Sequence, residues 1–92
     1  MTFEWDENKN TTNKIKHKIS FETAVHVFND PAYIEVYDFE HSGAEDRYIA
    51  LGYVGDVLFV VFTVRKRSIR IISARLATDR ERRLYYAQNF YY

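Results

Sequence analysis

The sequence predicts an α+β domain with helices on one side of an antiparallel sheet. Three observations point to it. Val57 to Val64 is a run of β-branched and aromatic residues broken only by Leu58, as in a strand covered on both faces. Ile69 to Arg75 alternates directly after it, across the polar connection Arg65-Lys66-Arg67-Ser68. Helical patterns with capping residues precede this pair twice and follow it once. The predicted order is strand, helix, helix, a meander of about four strands, helix.

Thr2 to Trp5 alternates and predicts a brief strand. Asp6 is the expected N-cap of a helix over Glu7 to His17, whose only large aliphatic residue is Ile15. Such a helix buries a narrow stripe and leaves most side chains available. Lys9, Asn13, Lys16 and His17 fall on one face of it. Ser20 caps a second helix with the stripe Phe21, Ala24, Val25 and Phe28, and Asn29-Asp30-Pro31 ends it. His26 falls off that stripe and is expected at the surface. Ala32 to Tyr37 reads as a strand, Asp38 to Asp46 as a loop, and Arg47 to Val54 as a strand. Gly55-Asp56 predicts a two-residue hairpin turn. His41, in the acidic loop, has no evident partner. In the last strand, Ile69, Ile71, Ser73 and Arg75 are expected to face one way and Arg70, Ile72 and Ala74 the other, an arginine on each face. Thr78 and Glu81 form a capping box for a final helix from Asp79 to about Gln88. The aromatic tail Gln88-Asn89-Phe90-Tyr91-Tyr92 is expected to pack back or to offer a partner a sticky edge.

Composition narrows the function. The chain of 92 residues is 47% hydrophobic and 28% charged, a folded profile, and the whole of it is read as one domain. The absence of cysteine excludes disulfides and thiol chemistry. No apolar run is long enough to span a bilayer, and Met1 to Asn10 lacks a signal-peptide pattern, so a cytoplasmic protein without membrane contact is expected. The three glycines form no phosphate loop, and the three histidines lack metal-site spacing, so neither metal nor cofactor is expected. Zero net charge hides an asymmetry. Asn29 to Asp46 is acidic throughout, whereas Arg65 to Arg83 carries eight bases. Either the blocks pair with each other, or the basic one meets a polyanion.

The residues fit phosphodiester chemistry on RNA, which carries its own nucleophile. Arg70 and Arg75 suit a phosphate. Lys16, His17, Glu81 and Tyr85 are groups able to move protons. Each also has a structural reading: surface ion pairs for the arginines, a capping box for Glu81, core packing for Tyr85.

The motif Phe3-x-Trp5-Asp6-x-x-Lys9-x-x-x-Asn13-x-x-Lys16-His17, then Ile19-Ser20-Phe21-x-x-Ala24 and Phe28-x-Asp30-Pro31, resembles the BrnT toxins of bacterial type II toxin–antitoxin systems. Arg47, Ile69-Arg70-Ile71-Ile72-Ser73-Ala74-Arg75 and Glu81-Arg82-x-x-Tyr85 continue the resemblance. It implies a RelE-like fold and a ribonuclease that inhibits translation. It also implies a BrnA-like ribbon-helix-helix antitoxin, a toxin–antitoxin heterotetramer, and operator DNA bound only through the antitoxin. The matching positions give Lys16, His17, Arg70, Arg75 and Tyr85 as expected catalytic residues and Lys9, Arg47 and Glu81 as substrate-binding ones. Lys18 departs from the family's usual glycine. The alternative is a non-catalytic module acting with its antitoxin as a DNA-bound co-repressor.

Overall fold

The computed structural model describes residues 2–90, the last two by backbone alone; the aromatic side chains of the tail lie outside the described residues. Strand β1 (Thr2–Glu4) leads into helix α1 (Glu7–His17) and the short helix α2 (Phe21–Ala24), which continues as a 3₁₀ turn over Val25–Asn29. Strands β2 (Ile34–Tyr37), β3 (Tyr48–Tyr53), β4 (Val57–Arg65) and β5 (Ser68–Leu76) follow, then helix α3 (Asp79–Phe90). The sheet order is β1-β5-β4-β3-β2. The meander β2 to β5 is antiparallel as predicted, but β1 joins the edge of β5 in parallel, so the sheet is mixed.

The helices do not all lie on one side. β4 is apolar on both faces, so both need cover. Leu58, Val60 and Phe62 pack with Phe21, Ala24, Val27, Ile71 and Ala74 beneath α2 and the 3₁₀ turn. Val57 and Phe59, on the other face, pack with Leu51, Ala77 and Tyr85, which places α3 there. α3 covers only one end of that second face; Ile49, Val61, Ser73 and Arg75 line an open hollow beside it.

The expected alternation of β5 fails at one residue. Val61 pairs with Ser73, but its neighbour Phe62 pairs with Ile71, leaving Ile72 as a β-bulge. A bulge inverts the alternation beyond it. Arg70 opposes Thr63 and Arg75 opposes Phe59, and Phe59, Val61 and Thr63 share a face of β4. Both arginines therefore stand on the second face, not one on each, and Ala74 returns to the core with Ile69 and Ile71.

Other local features follow from the residues present. Asp6 caps α1 by accepting from the N–H groups of Asn8 and Lys9 at 2.8 and 3.2 Å. The stripe that α1 buries consists of Asn10 and Asn13, while Ile15 is 71% exposed. β1 covers only Ser68 to Arg70 of the β5 edge, and Asn13 takes up the next part. Its amide donates to the Ala74 carbonyl at 2.8 Å and accepts from the Ala74 N–H at 3.2 Å, as a neighbouring strand would. A second donation, to Ile19 O at 2.8 Å, ties down the joint after α1. That joint turns on Lys18 at φ 63°, the left-handed position that favours glycine. The β3–β4 connection is a three-residue loop rather than a two-residue turn, since Tyr53 pairs with Val57; Gly55 sits in it at φ 72°. Tightening into a 3₁₀ turn brings Val27 fully into the core in place of the predicted Val25 and Phe28, which are half-buried. Gly52 faces that turn so closely that a Cβ would lie 2.6 Å from Val27 Cγ1.

Candidate functional site

Two hollows meet at the bulge. The larger, about 510 Å³, lies on the second face of the sheet. Its floor is Ile49, Phe59, Val61 and Ser73; its walls are Arg47, Arg75, Glu81 and the loop Asp38 to His41. The smaller, about 350 Å³, runs beside α1 and is lined by Asp6, Lys9, Lys16, His17, Ile72 and Ser73 among others. Ile72 and Ser73 belong to both. The residue that breaks the alternation thus forms the ridge between the α1 cations and the arginine face.

Arg75 is held rigidly. Its guanidinium donates twice to Glu81, at 2.8 and 3.0 Å, and once to Leu76 O at 3.1 Å. Its Cζ stands 3.8 Å above the centre of the Phe59 ring. Three of roughly five guanidinium N–H groups are committed, so part of the fork remains for an anion. Glu81 has two tasks. It completes the predicted capping box, accepting from Thr78 N–H at 2.9 Å while its own N–H donates to the Thr78 hydroxyl at 3.2 Å. It also aims Arg75. Hydrogen bonding from Arg75 holds the Glu81 carboxyl below its ordinary pKa, burial opposes this, and the Thr78 N–H reinforces it.

Arg47, the residue just before β3, lines the larger hollow, with Glu45 3.8 Å away as a loose ion partner. Lys9 and Lys16 are exposed and His17 is half-buried, all three along the smaller hollow. Their neighbour Asn13 is taken up by Ala74 and Ile19 and is a structural residue. Arg70 lines neither hollow; it approaches Glu4 of β1 at 3.5 Å. The expected pairing of the acidic and basic blocks reduces, among the described residues, to Glu45 with Arg65 at 3.2 Å.

Tyr85 is 3% exposed and lines neither hollow. It packs with Leu51, Val57 and Ala77, and its hydroxyl donates a short hydrogen bond to Asp30. Burial, then the Asp30 carboxylate, pushes its pKa well up, so it stays a neutral donor. Burial also pushes the Asp30 carboxyl up, but bonds from Tyr85 and from the N–H groups of Tyr53 and Ala32 outweigh it and hold it low.

The loop after β2 adds a group that sequence patterns leave without a role. His41 has a partner: Asp38, 6% exposed, accepts from His41 Nδ1 at 3.0 Å and from its N–H at 3.3 Å. Both residues line the larger hollow, across from Arg75 and Glu81. The available signal was the Asp-x-x-His spacing, which one tight turn brings into contact.

A small α+β protein with Lys9 and Lys16 along one hollow, and Arg47 and Arg75 set among Asp38, Glu40 and Glu81 in the next, is of the class that can meet a polyanionic chain through those cations. Comparison with known proteins gives that class a family. Residues 5–81 match the family described as "Ribonuclease toxin, BrnT, of type II toxin-antitoxin system", and the chain belongs to it. The crystal structure of the Brucella abortus ribonuclease toxin BrnT superposes with a TM-score of 0.64 at 26% identity, covering 86% of this chain and 99% of that one. No curated protein sequence matches the chain. No helix among the described residues is long and apolar enough to cross a membrane.

Proposed function

We propose that this chain is a metal-independent endoribonuclease, the toxin of a type II pair, which cleaves RNA by attack of the 2′-hydroxyl and so inhibits translation. The observation that carries the reading is the bulge at Ile72. It puts Arg70 and Arg75 on one face and joins that face to Lys9, Lys16 and His17 at a shared ridge. An RNA strand laid across the ridge meets Lys9 and Lys16 on one side and, on the other, Arg47 and Arg75, which stand among Asp38, Glu40 and Glu81. Lys9 and Lys16 hold the backbone along α1. Arg75, preset by Glu81 and Phe59, faces the scissile phosphate with Arg47 across the hollow, and stabilises the extra negative charge of the phosphorane without having to reorganise. Arg70 adds to the field, and its half-buried contact with Glu4 is long, at 3.5 Å, and so open to replacement by a phosphate. His17, with Lys16 beside it, handles a proton at the reacting oxygens. Glu81 acts as a positioning residue through Arg75, and Tyr85 is assigned to the core rather than to the chemistry. The natural inhibitor would be a BrnA-like ribbon-helix-helix antitoxin, joined in a heterotetramer that alone contacts operator DNA, and the fold would be a distant RelE relative.

The test is growth arrest on induction of the chain. The Lys16→Ala/His17→Ala double variant should relieve arrest while keeping the wild-type circular dichroism spectrum and melting curve. Undiminished arrest by the folded double variant removes α1 from the site.

A further inference from the structure

In an in-line displacement the attacking and leaving oxygens lie on opposite sides of phosphorus. One histidine on α1 cannot serve both sides at once. The larger hollow supplies a second. We propose that His41, held by Asp38, is the base that accepts the 2′-hydroxyl proton, a role that rests on the nuclease reading.

The geometry carries the assignment. Asp38 is buried at the end of β2 and accepts from His41 Nδ1 at 3.0 Å. The Ser42 hydroxyl and N–H bond back to the Asp38 carbonyl at 2.7 and 3.1 Å, which fixes the turn between them. A carboxylate at Nδ1 selects the tautomer with its proton there and leaves Nε2 as the accepting nitrogen. The charged groups around His41 are Asp38, Glu40, Arg47, Arg75 and Glu81 in the larger hollow, and Glu45 and Arg65 in an adjoining one. A phosphate held between Arg47 and Arg75 would lie beside this imidazole. The step balances without a co-reactant. The 2′-oxygen bonds to phosphorus as His41 Nε2 takes its proton, and the P–O5′ bond breaks. The 5′-oxygen takes a proton from the α1 side of the ridge, at His17 or Lys16. The products are a 2′,3′-cyclic phosphate and a 5′-hydroxyl; the proton on His41 returns to water, and the α1 group that gave one up takes one back from water.

The experiment pairs two readouts on the full chain. The first is single-turnover cleavage of a short RNA across pH by wild type, His41→Asn and Asp38→Asn. Asparagine at 41 keeps an N–H for Asp38 and so keeps the loop, but it cannot take a proton. The expected result is a loss of about 100-fold in rate with little change in RNA affinity, and disappearance of the limb of the pH profile that reports the base. Asp38→Asn should also slow the reaction, since it disturbs the tautomer and the orientation of the ring. A His41→Asn rate within threefold of wild type, with the same pH profile, overturns the proposal. The second readout is the His41 ring resonance during titration with a nucleoside 3′-monophosphate. It should move in wild type and not in Arg75→Ala. If wild type does not cleave, the nuclease reading fails. The base role, which rests on that reading, then falls with it, whereas cleavage by wild type with a static resonance overturns the His41 proposal alone.

Discussion

Replacing Asn13 tests how the α1 cations are held against the sheet. Its side chain makes three buried hydrogen bonds, two to Ala74 and one to Ile19. Asn13→Ala removes all three and leaves two carbonyls and an N–H without protein partners. At about 1 kcal/mol net per bond the loss is about 3 kcal/mol. The β5 edge is easier for water to reach than a core site, which sets a lower end of about 2 kcal/mol. For a domain of this size, that lowers the melting temperature by roughly 10–20 °C. Asn13→Asp should be worse than alanine. It keeps an acceptor for the Ala74 N–H but sets a carboxylate oxygen where the donor met two carbonyls at 2.8 Å. Urea denaturation of both variants gives the comparison, with exposed Thr12→Ala as the control, expected within about 0.5 kcal/mol of wild type. A loss under about 1 kcal/mol for Asn13→Ala, or an Asn13→Asp variant as stable as wild type, would show that the amide does not act as a strand surrogate.

Two further substitutions have defined outcomes. Lys18→Gly relieves a left-handed residue at φ 63°. The gain should be about 0.5–1 kcal/mol after the added freedom of the unfolded chain, seen as a higher melting temperature; a lower one would mean the Lys18 side chain matters more than its backbone. Tyr85→Phe removes a hydrogen bond to an ionised carboxylate and should cost about 1.5–3 kcal/mol at neutral pH. The Asp30 carboxyl is held low in the folded state. Its contribution is therefore complete above the ordinary carboxyl value of about 3.9 and is lost as pH falls through the lower folded value. The gap between wild type and Tyr85→Phe should narrow below about pH 4 in urea titrations at fixed temperature. Cleavage per folded molecule should not change, and a hundredfold loss would return Tyr85 to the chemistry.

Local signals were legible and long-range ones were not. The Asp6 cap, the Ser20 cap and the Thr78–Glu81 capping box each follow from residues within one turn of each other, and each is observed. The β4 run was legible because β-branched and aromatic residues cluster there. The bulge was not, because Ile-Arg-Ile-Ile-Ser-Ala-Arg alternates plausibly in either phase, and only pairing with β4 decides it. The same limit hid the parallel pairing of β1 and the second-face position of α3. The polar character of α1 is plain in its residues, but its buried side consists of two amides serving as hydrogen-bond partners, which hydrophobic periodicity cannot reveal. Within the candidate site, the α1 residues and Arg75 follow from chemistry and spacing. The burial of Tyr85 and the partnership of His41 with Asp38 depend on how the loop and α3 close over the sheet.

The most direct measurement is cleavage of purified RNA by the isolated chain in the presence of EDTA, beside Arg75→Ala. Cleavage by wild type that survives the chelator, ends in 2′,3′-cyclic phosphates and drops at least a hundredfold in the folded variant is the expected result. Cleavage that stops on adding EDTA, or that proceeds equally well without Arg75, would contradict a metal-free site built on the bulged face of the sheet.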